Sequence, residues 1–343
     1  MRRVENYSDD MEAAWRDFVN QAPGATVAHQ IEFRKVIAAG LGCQPHYLLV
    51  RDGVAVSGVL PLFLVRTWWN ARYLISVPWL DYGGVCAADE ESACLLVDRS
   101  RELAKTTGAS FIELRSVEPI GCELATATER VTFLADLSAG SESLWKNFDA
   151  KLRNQVRKAQ KSGLTVEYGR HNFLDEFYRV FARRMRDLGT PVWSKRLFAA
   201  VLDAFPDSAE IVLVKHGEET ATGALLLKFR GRDYIPSAAA YDRFIKSCPY
   251  HALYWSVIER GCREGSRWFD FGRSSIDSPT YKFKIQWSET PVPLAWQYSM
   301  HGITEVPQIN PHNPKYRLAQ KIWRRLPLPL ANWLGPAVIK NFP

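Results

Sequence analysis

At 343 residues, 47% hydrophobic and 24% charged, the chain has room for two ordinary domains, and its composition excludes an intrinsically disordered protein. Its formal charge of +7 is uneven: residues 310–343 carry Lys315, Arg317, Lys321, Arg324, Arg325 and Lys340 and no acid, so the body before them is close to neutral. The opening MRRVENYSDDMEAAW has no apolar run behind its arginines, and no stretch reaches the roughly 18 apolar residues of a membrane span, so neither a secretory signal peptide nor a transmembrane helix is expected.

In chain order, YLLVRDGVAVSGVLPLFLV (47–65) predicts a strand, a tight turn at Asp52–Gly53 and a second strand. A helix over Glu91–Lys105, stopped at Gly108, leads into an apolar strand, GASFIELRS (108–116). Small and polar residues around 135–142 mark a junction. Trp145, Phe148, Leu152 and Val156 then recur at three- and four-residue steps, predicting one long helix from Glu142 to Lys161. Asn172–Leu188 and Ser194–Phe205 read as further helices. IVLVKHGEETATGALLLKF (211–229) repeats the hairpin, with its turn at His216–Gly217. A helix over His251–Glu264, ended by Gly265, leads into GSRWFDFGRS (265–274). Residues 301–314, rich in Pro, Asn and His, read as a linker. KYRLAQKIWRRL (315–326) has an apolar and a basic side, and an apolar, proline-broken end follows.

Each half therefore reads hairpin, further strand, helix, strand. Gly58 and Gly223, about 165 positions apart, each follow the turn. Two similar α/β (α+β) domains are expected, at 1–138 and 139–300, with linker and basic amphipathic tail at 301–343. Chance similarity between two hairpins is the alternative; the matching order of several elements weighs against it.

Three segments carry a resemblance: FDFGRSSIDSPTYKFKIQW (269–287), KLRNQVRKAQKSGLTVE (151–167), and VLPLFLV (59–65) with SVPWLDYGGV (76–85). They resemble FemAB-like proteins of the GNAT acyltransferase superfamily, in particular the group associated with exosortase (PEP-CTERM) loci, over about residues 10–340. The resemblance implies two tandem GNAT-like domains, each a mixed β-sheet flanked by helices. It also implies transfer of an acyl or aminoacyl group from acyl-CoA or aminoacyl-tRNA to an amine. The acceptor would be an amine-bearing glycan, peptide or lipid-linked precursor in exopolysaccharide or cell-envelope biosynthesis. The chain lacks the coiled-coil arm of some tRNA-using relatives. Where an R/QxxGxG/A phosphate loop would precede the helix at 251, it has FIKSCPYHAL.

Acyl transfer to an amine needs a proton acceptor, stabilisation of the carbonyl oxyanion, and a proton or positive field for the leaving group. By the resemblance, Lys284 stands near the reacting carbonyl, where it would stabilise the oxyanion; the alternative is a lysine that alternates outward on a strand. Asp270 and Arg273, at the end of a predicted central strand, are candidates for a base or amine holder and for a phosphate or carboxylate grip. The alternative is a buried Asp–Arg pair tying strands together. Tyr241, Tyr281 and Lys282 are candidate substrate contacts. Arg153 and Arg157, in line with Lys161 on one helix face, suit a phosphate-bearing ligand such as CoA or tRNA, against the alternative of a solvated face. The first half lacks the YxFK block, so the site is expected in the second half or at the interface between the halves. A degenerate, non-catalytic pair acting as a binding module in envelope assembly is the rival reading; an RNA-binding protein is a third, resting only on the basic segments.

The six cysteines form no CxxC pair and are expected to be reduced thiols. The seven histidines show no HxH or HxxxH pairing, and no metal site is expected. No GxSxG or GxGxxG fingerprint occurs, against a serine hydrolase or nicotinamide enzyme. The tail, 311–343, suits an anionic membrane leaflet, so the expected location is cytoplasmic, peripheral on the inner face of the cell membrane.

Overall fold

The computed structural model describes residues 2–301, 303 and 314–342. The chain folds into two compact units. The first comprises Met1–Arg130, Pro293–Ile309 and Val338–Pro343; the second comprises Val131–Val292 and Asn310–Ala337. This division falls a few residues before the junction expected from sequence, and it returns 293–309 to the first unit. The reason is a strand that the chain sends back, described below. The linker expected at 301–314 lies mostly outside the described residues.

In the first unit, β1 (Arg3–Asn6), β2 (Gln44–Asp52), β3 (Ala55–Arg66), β4 (Arg72–Ser76), β5 (Cys86–Ala87), β6 (Phe111–Ser116) and β7 (Ala125–Ala127) join a late strand, β16 (Ala295–Met300). The order is β1-β2-β3-β4-β6-β16-β7, with β5 on β3. Helices α1 (Glu12–Gln21), α2 (Phe33–Leu41) and α3 (Glu90–Thr107) flank this sheet. Asp89 caps α3 by accepting from the Ser92 amide, and Gly108 ends it at φ +68°.

The second sheet takes β8 (Arg130–Asp136), β9 (Leu164–Gly169), β10 (Ala209–His216), β11 (Glu219–Phe229), β12 (Arg232–Ala240), β13 (Trp268–Asp270), β14 (Ser274–Ser275) and β15 (Pro291–Pro293). Its order is β14-β8-β13-β12-β11-β10-β9, with β15 on β8. Its helices are α4 (Gly140–Asn147), α5 (Ala150–Lys161), α6 (His171–Leu188), α7 (Lys195–Ala204), α8 (Pro249–Glu264) and α9 (Pro279–Lys284); α10 (Pro314–Arg325) and α11 (Leu328–Ile339) follow.

The expected repeat is present in detail. Both hairpins close through a two-residue turn whose first residue is a glycine at positive φ, Gly53 (+63°) or Gly217 (+59°). Both carry a bulge just before the turn, after Val50 and after Val214. In each sheet the pair bridged by a helix, β4/β6 or β12/β13, is parallel while the neighbouring strands are antiparallel. Gly58 and Gly223 are not equivalent, however: Gly58 pairs with Val50, whereas Thr222 holds that place opposite Val214. A one-residue offset turns them to opposite faces. A Cβ on Gly58 would meet Leu96 of α3 at 3.1 Å, and one on Gly223 would meet Phe177 of α6 at 3.2 Å.

Three other expectations are corrected. The long helix Glu142–Lys161 is two helices: Phe148 is extended at ψ 146°, and Asp149 starts α5 by accepting from the Leu152 amide. Phe148, Leu152 and Val156 are buried as expected, because the break keeps them on the same core. The proline-broken end is largely helical, since Pro329 falls in the first turn of α11, where no intrahelical donor is lost; only Pro336 is internal. Cys94 and Cys122 are not free thiols. Their Cα atoms lie 5.8 Å apart and the sulfurs are bonded, because the chain after β6 folds back along α3; Cys43, Cys86, Cys248 and Cys262 are free.

Candidate functional site

Strands β12 and β13 run parallel for only three residue pairs, from Arg232↔Trp268 to Tyr234↔Asp270. Beyond Tyr234, β12 continues to Ala240 with no partner on that side among the described residues, so the sheet opens at the carboxyl ends of its parallel strands. The chain then passes through Tyr241–Cys248 into α8, which Pro249 starts. Cys248 takes a left-handed conformation (φ +58°) at this entry, and its Sγ donates to Gln155 Oε1 of α5 at 2.7 Å. Burial raises the Cys248 thiol, and the nearby charge of Lys158 opposes that rise. A backbone opening, the amide end of a long helix and a basic helix thus meet.

Asp270, the last residue of β13, is fully buried. Its Oδ1 accepts from Thr132 Oγ1 of β8 and from the Gly272 amide, both at 2.9 Å, and Arg232 lies 3.6 Å from Oδ2. Gly272 sits at φ +71°, a conformation that glycine adopts without steric cost. Lys284 holds the other side of the same glycine. Ser278 caps α9 and Pro279 opens it, so the YKFK block is helical and Lys284 turns inward. Only 8% exposed, its Nζ donates to Gly272 O at 2.8 Å and Arg273 O at 3.0 Å. Asp270 and Lys284 therefore meet at Gly272, one on its amide and the other on its carbonyl, while the Arg273 side chain is exposed.

The first unit carries the same strand ending, ELRS for FGRS, differently employed. Arg115, the counterpart of Arg273, is buried. Its guanidinium binds Glu113 at 2.7 Å and Leu80 O at 2.9 Å, and it lies 4.4 Å from the Trp296 ring. The Arg115 carbonyl takes its hydrogen bond from the Gly84 amide at 2.8 Å, where the second unit uses the Lys284 ammonium. Only the second unit thus joins an inward lysine to an exposed arginine at this position.

Three polar groups near this opening have no hydrogen-bond partner among the described residues although their atoms are shielded from solvent. They are both ring nitrogens of His251, Nε1 of Trp287 and Oγ of Ser274. His251, in the first turn of α8, lies 5.1 Å from the Phe283 ring and 6.0 Å from the Trp287 ring, and burial lowers its pKa to about 4. Such groups can still donate to or accept from a bound molecule or water. Sequence reasoning passed over these residues. The available signal was that Trp287 closes the YxFKxxW block and that His251 stands where a phosphate loop was sought.

The remaining candidates are dispersed. Tyr241 is half-buried under Arg243, whose guanidinium lies 5.0 Å from its ring. Tyr281 packs edge-on to Phe133 at 5.2 Å, and Lys282 is exposed. Arg153 holds the α4–α5 break, donating to Lys146 O and Phe148 O, so it is engaged in the fold. Arg157 is exposed over Trp145 at 5.4 Å. Among the described residues no cluster of three or more His, Cys, Asp or Glu could hold a metal.

The mixed sheets, each with one helix-bridged parallel pair, define two tandem GNAT-like domains. Residues 146–284, which contain this opening, match the family model described as "Acetyltransferase (GNAT) domain". Among solved structures the chain is similar to FemX, at 15% identity and TM-score 0.65 over 93% of this chain and 100% of that one. It is also similar to L-PGS from Bacillus licheniformis (12%, TM-score 0.56, 94% and 99%) and to a tandem GNAT protein from the clavulanic acid biosynthesis pathway (12%, TM-score 0.54, 89% and 100%). No curated protein sequence matches the chain.

Proposed function

We propose that the chain is an N-acyltransferase whose second unit binds an acyl donor at the opening between β12 and β13. The observation that carries this reading is the parallel pair parting next to the first turn of α8, within the segment that matches an acetyltransferase domain. A donor phosphate would meet the positive end of the α8 dipole and the charge of Lys158, since Pro249 has no amide hydrogen and the Cys248, His251 and Ala252 amides already donate to backbone carbonyls. The acyl carbonyl would lie along the unpaired edge of β12, whose amides can stabilise an oxyanion. The acceptor nitrogen forms a C–N bond as the donor's C–S or C–O bond breaks. The amine proton passes to the neutral His251 imidazole and from the resulting imidazolium to the departing thiolate or alkoxide, which leaves His251 neutral again. Asp270 and Lys284 act as positioning residues by fixing the Gly272 amide and the Gly272 and Arg273 carbonyls, and the exposed Arg273 grips an anionic part of a substrate. Tyr241, which directly follows β12, and Arg157, on the same helix as Gln155 and Lys158, would line the approach.

Acyl-CoA is the proposed donor and aminoacyl-tRNA the second; the likeness to FemX and L-PGS supports keeping both. The acceptor is proposed to be an amine on an envelope glycan, peptide or lipid-linked precursor, handled by a protein lying against the inner membrane face through α10 and α11. No helix among the described residues is long and apolar enough to cross a membrane. Exposed Leu318, Ile322 and Trp333 support the tail contact. A thermal-shift screen with acetyl-CoA, longer acyl-CoAs and aminoacyl-tRNA tests the donor. The expected result is a Tm rise of several degrees with one acyl-CoA class at concentrations well above its Kd. No shift with any donor contradicts the reading.

A further inference from the structure

The first unit exposes two adjacent tryptophans, Trp68 (61%) and Trp69 (54%), at the turn between β3 and β4. The turn is firmly built. The Thr67 amide donates to Ala71 O at 2.9 Å, the Asn70 amide to Thr67 O at 3.1 Å, and the Ala71 amide to Thr67 Oγ1 at 2.9 Å. The chain's end is fastened to it. Buried Asn341 accepts from the Trp68 amide at 2.9 Å, and exposed Phe342 packs 5.7 Å from the Trp69 ring. Three large aromatic rings are thus held in solvent on a rigid support. Beside them is a cavity of about 240 Å³, lined by Arg66 and Lys340, which stand two residues before Trp68 and Phe342, together with Gln44 and Cys43. No acidic residue lines it, and neither cation is ion-paired among the described residues; Arg66 meets Gln44 Oε1 at 3.4 Å.

We propose that this patch is a lipid-surface contact. Trp68, Trp69 and Phe342 enter the interface of an anionic bilayer, and Arg66 and Lys340 receive one phospholipid headgroup phosphate in the adjoining cavity. Indoles favour the headgroup boundary, where an apolar ring and a polar edge are both accommodated. Paired cations with no acid beside them match an anionic leaflet. The contact rests on residues other than Leu318, Ile322 and Trp333 of the proposed α10–α11 contact, and substitution separates the two.

Co-sedimentation of the full chain with vesicles of phosphatidylcholine alone, and of phosphatidylcholine with phosphatidylglycerol, tests the proposal. The parent should pellet with the anionic vesicles and stay in solution with the neutral ones. W68S/W69S should lose most of the binding, and R66Q/K340Q should weaken it by about fivefold per charge removed. Both variants should keep the parent Tm, since the substituted side chains are solvent-facing or line an open cavity. The L318S/I322S variant reports the tail alone. Loss of binding in L318S/I322S with W68S/W69S unchanged would overturn this proposal and leave the tail contact standing. Stabilisation by free glycerol phosphate without vesicle binding would also overturn it.

Discussion

Asp270 holds the amide of Gly272 and Lys284 holds its carbonyl, and the consequences of substituting them differ by chemistry. Lys284→Met leaves the Gly272 and Arg273 carbonyls without their charged donor, which should cost about 2–4 kcal/mol by denaturant unfolding and abolish turnover. Asp270→Asn retains an oxygen for Thr132 and the Gly272 amide and should be milder than Asp270→Ala; equal losses would argue against the hydrogen-bonded role. His251 carries the pH dependence. Its pKa is depressed to about 4 in the folded chain, so the unfolded chain binds the proton first as pH falls below about 6.5. The neutral histidine's contribution is therefore complete above pH 6.5 and is lost progressively down to pH 4, by roughly 3 kcal/mol. His29 in the first unit, also lowered to about 4 by burial, loses stability in the same window. His251→Phe should flatten part of that acid slope and leave stability at pH 8 equal or higher, because an unpartnered polar group is removed. It should also lower turnover at least tenfold. Unchanged turnover would remove His251 from the site.

At the level of elements, the two hairpins and the helices before β6 and β13 were legible because their signals are local. Gly53 and Gly217 supply positive φ in two-residue turns, and Gly108 and Gly265 end helices in the left-handed conformation. The break between α4 and α5 was not legible, since Phe148 continues the helical spacing and its interruption depends on Asp149 capping a new helix. Asp149→Ala should destabilise the second unit by about 1 kcal/mol in chemical denaturation. No effect would mean that Arg153, gripping the same bend, fixes it alone. The inward turn of Lys284 was hidden for a similar reason: a six-residue helix carries too little periodicity to be distinguished from a strand.

For the whole molecule, sequence revealed the duplication but not which sheet each late strand joins. RVTFLAD, at the end of the first half, pairs with β13 of the second sheet, while AWQYSM, at the end of the second, pairs with β6 of the first. Both are short apolar strands, and pairing between distant segments leaves no local mark. The bond between Cys94 and Cys122 was missed on the same ground, as it joins a helix to a loop 28 residues on. Reduction should destabilise the first unit by about 3 kcal/mol and leave the second unchanged; mapping of free thiols in the unreduced chain checks the pairing directly.

An acyl donor bound as proposed, where β12 and β13 part beside α8, would shield the backbone around that opening. Amide hydrogen exchange with and without acetyl-CoA and longer acyl-CoAs measures this segment by segment. The account predicts slowed exchange over residues 235–252 with the bound donor and none over 77–92, the corresponding stretch of the first unit. Protection confined to 77–92, or absent from both stretches while acyl transfer proceeds, would contradict it.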